Sequence, residues 1–114
     1  MIDSDKLFFP HDFKNDNAYY VVKHENIVIA CFALTPIDEY KVILSDIFVL
    51  DKYRCKGVGS YIVEEAMLMS KNKEISLNCP TNLENFFKEF GFKLVQRIIP
   101  STGYERISKM TQIL

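Results

Sequence analysis

A chain of 114 residues, 48% hydrophobic and 25% charged, is long enough for one domain with a real core. With 14 basic against 15 acidic side chains the formal charge is -1, which excludes the basic excess that non-specific grip on nucleic acid or an anionic membrane requires. No apolar run approaches the roughly 18 residues of a membrane span, and the acidic start Met1-Ile2-Asp3-Ser4-Asp5 is not a secretory leader. Cys31, Cys55 and Cys79 lack a CxxC spacing, so they form neither a disulfide framework nor a zinc set. The expectation is one domain over 1–114, without a metal, in a reduced, cytoplasmic setting, with Cys31 and Cys79 as core thiols.

Residues 1–17 join an apolar Leu7-Phe8-Phe9-Pro10 to a polar, turn-forming stretch, and read as a short helix or irregular segment. Ala18 to Lys23 and Ile27 to Thr35 are β-branched and aromatic, and the His24-Glu25-Asn26 turn between them predicts an antiparallel hairpin. Pro36 to Glu39 reads as a break, and Tyr40 to Leu50 as a third strand. From Gly57 to about Ser70 the period changes: Val58, Ile62, Ala66 and Met69 fall on one helical face. Ile75 to Cys79 is a short strand. Thr81 or Asn82 then offers an N-cap for a second helix with Leu83, Phe86, Phe87 and Phe90 on its apolar face and Gly91 at its end. Phe92 to Ile99 and Tyr104 to Leu114 are strands joined by a Pro100-Ser101-Thr102-Gly103 turn. The fold class is therefore mixed α/β, an antiparallel β-meander followed by a β-α-β-α-β-β order with one crossover.

The chemistry-bearing segment is the basic loop Asp51-Lys52-Tyr53-Arg54-Cys55-Lys56-Gly57-Val58-Gly59-Ser60 between a strand and a helix. A helix start presents unpaired N–H groups and the positive end of its dipole, so it favours an anion. Gly57 and Gly59 let a phosphate approach the backbone, and Arg54 and Lys56 add charge there. The plain alternative is a glycine turn. A P-loop fails because Ser60-Tyr61 follows Gly59 without a lysine, and a dinucleotide-binding Rossmann loop fails because Ile62 stands where its third glycine belongs.

Arg54-x-x-Gly57-x-Gly59, preceded by Asp46-Ile47-Phe48-Val49-Leu50, resembles the coenzyme A-binding motif of the GNAT N-acetyltransferases. Asn85-Phe86-Phe87-Lys88-Glu89-Phe90-Gly91-Phe92 is similar to the Asn-Phe-Tyr-Lys-Lys-x-Gly-Phe helix end of that family. The two matches cover roughly residues 40 to 95. Within the family, Ser45-Asp46-Ile47-Phe48-Val49, Leu77-Asn78-Cys79 and Phe90-Gly91-Phe92 resemble glucosamine 6-phosphate N-acetyltransferases.

The resemblance implies a GNAT-like fold and an acetyl-CoA-dependent transfer to a primary amine of a small molecule, an amino-sugar phosphate among the candidates. Ile47, Phe48 and Val49 are implied to pair with the pantetheine arm. The amides of Cys55, Lys56, Gly57, Val58, Gly59 and Ser60 are implied to hold the pyrophosphate beside Arg54, and Asn82 or Asn85 to touch the arm. Asp46 is the candidate base for the amine proton, against a solvent-facing or capping role. The tyrosine of the family motif, the usual acid for the departing thiolate, is Phe87 here, which leaves Tyr104 or Cys79 as substitutes that no motif places. Arg97 and Arg106 read as paired surface charges or as contacts to an anionic acceptor. The family's strand and two helices before the meander are expected to be shortened, since about 17 residues precede Ala18. That leaves a minimal form, a trimmed one, or a site completed by a partner. A homodimer through the C-terminal strand stays open. So do two other functions: a non-catalytic coenzyme A-binding module, and acetylation of a protein or peptide amine.

Overall fold

A computed structural model describes residues 11–12, 18–99 and 106–114. In chain order the elements are β1 (His11–Asp12), β2 (Ala18–His24), β3 (Ile27–Asp38), β4 (Lys41–Val49), α1 (Val58–Met69), β5 (Glu74–Pro80), α2 (Glu84–Lys88), β6 (Lys93–Ile98) and β7 (Ile107–Ile113). The sheet order is β1-β2-β3-β4-β5-β7-β6. All neighbours are antiparallel except β4 and β5, whose parallel pairing needs the crossover that α1 supplies. This is the mixed α/β order read from the sequence, with the two-residue β1 added where a short helix or irregular segment was expected.

The turn between β2 and β3 sets Glu25 and Asn26 at φ 51° and 66°, the conformation of a two-residue hairpin whose twist matches its strands. β3 continues through Pro36, which lies opposite Val42, to Asp38, so the predicted break moves to Glu39 and Tyr40. The described β2–β3 pairing stops at Leu34, so a proline two residues further on forfeits no ladder bond to β2.

One face of the sheet carries the core. Val22, Phe32, Leu34, Val42, Leu44, Ile75, Leu77 and Met110 join Val58, Ile62, Val63 and Ala66 of α1 and Phe87 of α2 in one cluster. Met69, placed on the buried helical face by its spacing, is exposed at the last turn of α1, where Ser70 turns inward instead. Both helices thus cover the same side. The opposite side presents Tyr19, Cys31, Ala33 and Ser45, which the strand registers set on a common face. Cys31 is half-buried there and is not a core thiol, whereas Cys79 is buried as expected. β7 is paired on both edges, by β5 and β6, so a contact between sheet edges would fall to β1 or β6 rather than to the C-terminal strand.

Candidate acyl-transfer site

The site begins where β4 and β5 part. Their parallel pairing runs from Lys41 opposite Glu74 to Leu44 opposite Leu77 and ends there. β4 continues to Val49 on β3, and β5 continues to Pro80 on β7. Each strand keeps its outer partner while losing its inner one. The facing edges of residues 45–49 and 78–80 therefore bound a slot with backbone groups that have no strand partner across it. Five strand residues span roughly 16 Å, long enough for an extended, amide-bearing ligand to lie along β4 as an added strand.

A bulge shapes the β4 side. Ala33 lies opposite Ser45 and Cys31 opposite Phe48, so Phe32 alone faces the two residues Asp46 and Ile47. Asp46 sits at φ 54°, an unusual value for a residue with a side chain. The strict alternation that would send Asp46 away from Ser45 and Ile47 fails at this point. Asp46 is exposed, its Oδ2 accepts a hydrogen bond of 3.0 Å from the Tyr19 hydroxyl, and its carbonyl lies 3.8 Å from the Cys31 thiol. Burial, then the Asp46 charge, push the Cys31 thiol pKa up. Ile47 and Phe48 are exposed and Val49 is half-buried.

The loop after β4 is held by its own side chains. Arg54 donates from Nε to the Val49 carbonyl at 3.1 Å and pairs through a terminal nitrogen with Asp51 at 3.2 Å. The Arg54 side chain is nonetheless 57% exposed, so it shares the loop's surface charge with the exposed Lys52 and Lys56. Cys55 at φ 60° and Gly57 at φ 86° turn the backbone sharply into α1. The first intrahelical bond runs from the Tyr61 amide to the Gly57 carbonyl at 3.0 Å, so the amides of Val58, Gly59 and Ser60 belong to the unpaired first turn. A Cβ at Gly57 would meet nothing within 4 Å, and one at Gly59 would meet only Phe86 Cζ at 3.9 Å. Gly57 is thus required by its φ. Among the described residues no atom requires Gly59.

The second helix closes the far side. A single 3-10 turn, Thr81–Leu83, replaces the capped start read from the sequence, and no side chain caps it. Thr81 points its hydroxyl to Ser108 at 3.1 Å, and Asn82 and Asn85 are exposed. α2 is only five residues long, and Phe90 lies beyond it. Buried Glu84 anchors the helix. It accepts bonds from Arg97 at 2.9 and 2.8 Å and from the Ser108 hydroxyl, with Lys88 4.0 Å away. The Arg97 bonds and then the Ser108 bond hold its carboxyl pKa down to about 2. Arg97 is therefore a paired charge. Phe87 is buried against Phe86 and Phe92, and burial, then the Glu84 charge, push the Cys79 thiol pKa up. Cys79 is a core thiol with its sulfur 3.9 Å from that of Met110. Tyr104 lies outside the described residues.

The slot, the bulge and the loop thus lie along one path, bounded by β4, β5, the start of α1 and α2. Tyr19 and Glu84 escape sequence reasoning. Tyr19 is one aromatic among several in a strand pattern, and its partner is 27 positions away. Glu84 reads as an ordinary polar helix residue, although Arg97 and Ser108 bury its charge.

The sequence over residues 15–94 matches the family model described as Acetyltransferase (GNAT) domain. Among curated proteins no sequence match is found. Among solved structures the chain is similar to a GNAT family acetyltransferase from Elizabethkingia anophelis with acetyl-CoA bound, at 20% identity and TM-score 0.74, over 86% of this chain and 76% of that one. It is similar to the spermidine N-acetyltransferase SpeG chimera from Vibrio cholerae and hSSAT, at 16% identity and TM-score 0.73, over 88% and 69%. It is also similar to Arabidopsis thaliana Naa50 in complex with the bisubstrate analogue CoA-Ac-MVNAL, at 23% identity and TM-score 0.71, over 84% and 72%. At these identities the structural likeness establishes the fold.

Proposed function

The chain belongs to the GNAT acetyltransferases, and from that premise we propose that it transfers an acetyl group from acetyl-CoA to the primary amine of a small molecule, with an amino-sugar phosphate as the finer candidate. The observation that carries this reading is the parting of β4 and β5 beyond Leu44 and Leu77, directly ahead of a glycine-opened helix start. Ile47, Phe48 and Val49 offer backbone groups to the pantetheine arm. Cys55 through Ser60 offer amides to the pyrophosphate. Asn82 and Asn85, both exposed at the start of α2, are the candidates to touch the arm.

Acetyl-CoA supplies an activated acyl group. The residues supply the rest. A β4 backbone N–H along the slot polarises the thioester carbonyl. Asp46, exposed at the bulge, accepts the proton that the amine loses as its nitrogen bonds to the acyl carbon and the carbon–sulfur bond breaks. A thiol has a pKa near 8.5, so the thiolate leaves without an obligatory acid, in keeping with a phenylalanine at position 87.

The burial of Phe87 favours a second reading, a module that binds coenzyme A without turnover. A reduced cytoplasmic setting is proposed on the free cysteines among the described residues, and one domain over 1–114 on the continuous sheet.

Calorimetric titration with acetyl-CoA, coenzyme A and NAD tests the donor. Saturable binding by the first two, at roughly micromolar Kd or about -8 kcal/mol, supports it. Binding of NAD alone would refute it. Thiol release with glucosamine 6-phosphate, spermidine and a Met-Val-Asn-Ala-Leu peptide then separates a small-molecule acceptor from a peptide one. Binding without release on any of the three favours the module.

A further inference from the structure

The bulge leaves Asp46 and Ile47 facing Phe32 alone, with Asp46 at a backbone angle that a side chain disfavours. A carboxylate on such a segment is not oriented by strand pairing, because the ladder skips it. Two side chains from the sheet's helix-free face meet Asp46 instead, one at its backbone and one at its carboxylate. The Cys31 thiol lies 3.8 Å from the Asp46 carbonyl, and the Tyr19 hydroxyl donates to Asp46 Oδ2 at 3.0 Å. Tyr19 belongs to β2, two strands from β4. In the register the residue between them is Ala33, opposite Tyr19 on one side and Ser45 on the other. A methyl is the small side chain that lets a phenol pass across β3. Ala33 is 0% exposed although no helix among the described residues covers that face.

We propose that Tyr19 is a positioning residue that fixes the Asp46 carboxylate for proton removal from the acceptor amine. The proposal rests on the reading of Asp46 as base. The Tyr19 bond occupies Oδ2 and leaves Oδ1, with its lone pairs, for the incoming proton. Tyr19 keeps its own proton throughout. The amine proton goes to Asp46, the nitrogen–carbon bond forms, and the electrons of the carbon–sulfur bond leave with the thiolate. Fixing the carboxylate beforehand removes the cost of orienting it as the reaction proceeds.

The test is a double-mutant cycle on the full chain with Tyr19→Phe, Asp46→Asn and both. The acceptor is whichever of glucosamine 6-phosphate, spermidine and a Met-Val-Asn-Ala-Leu peptide the wild type acetylates fastest. Tyr19→Phe is expected to lower kcat by about 10- to 100-fold, as a carboxylate displaced by an ångström would. Its acetyl-CoA Kd by calorimetry stays within about twofold, because the slot and the loop are untouched. In the Asp46→Asn background the same change is expected to cost nothing further. A purely structural role would lower activity equally in both backgrounds, and that result overturns the proposal, as does full kcat in Tyr19→Phe beside an inactive Asp46→Asn. Full activity in Asp46→Asn overturns the base reading and this proposal with it. Wild type that binds acetyl-CoA but acetylates none of the three amines overturns both.

Discussion

Replacing Gly59 by alanine should move stability and coenzyme affinity in opposite directions. Gly59 is the second residue of α1, and a Cβ there meets only Phe86 Cζ at 3.9 Å, an ordinary contact. Removing a helical glycine stabilises by about 0.5–1 kcal/mol. In a domain of this size that raises Tm by roughly 2–4 °C. If the first-turn amides hold the pyrophosphate, the same methyl crowds the approach of a phosphate to them. Losing one charge-assisted amide bond costs about 1.5–3 kcal/mol, or about 10- to 150-fold in Kd. Gly57→Ala is the control. Its methyl enters open space, but φ 86° must be kept, so it costs about 1 kcal/mol and lowers Tm by roughly 4 °C. Thermal melts followed by circular dichroism and acetyl-CoA calorimetry on both variants decide the matter. A stabilised Gly59→Ala protein with wild-type affinity would reduce the loop to a turn and refute the reasoning. Gly59→Glu, which adds charge as well as bulk, is expected to abolish binding in a folded protein.

The Glu84 carboxyl has its pKa lowered from 4.5 to about 2 by Arg97 and Ser108, so its ionised form is favoured in the fold. A depressed folded pKa gives stability that is complete above pH 4.5 and lost as the pH falls toward 2. Wild-type Tm should therefore fall more steeply across that window than the Tm of Glu84→Gln, and parallel curves would contradict the assignment. Phe87, 5% exposed and edge-on to Phe86 and Phe92, is a core residue whose truncation to alanine costs about 3–5 kcal/mol. A denaturant midpoint that falls at unchanged slope is the expected outcome.

Much of the fold was legible because the local signals were strong. Alternating β-branched runs, the switch to a helical period at Val58, and the Glu25-Asn26 turn each depend on near neighbours in the chain. The turn into α1 was legible too, since Gly57 marks a positive-φ position that a sequence displays directly. Tertiary structure revised other points. Pro36 stays in β3, opposite Val42, where the described β2–β3 pairing has already ended at Leu34. The short α2 begins with a 3-10 turn because Thr81 spends its hydroxyl on Ser108.

The sequence by itself determined the element order from β2 onward, most of the apolar face of α1 and a glycine-marked helix start, all set by periods and backbone preferences within a few residues. Only the tertiary structure decided that β4 and β5 part after Leu44 and Leu77, that a bulge turns Asp46 outward toward Tyr19, and that Arg97 neutralises a buried Glu84. Each of these depends on strands and side chains brought together across long stretches of chain, where register and burial, rather than local preference, fix the geometry.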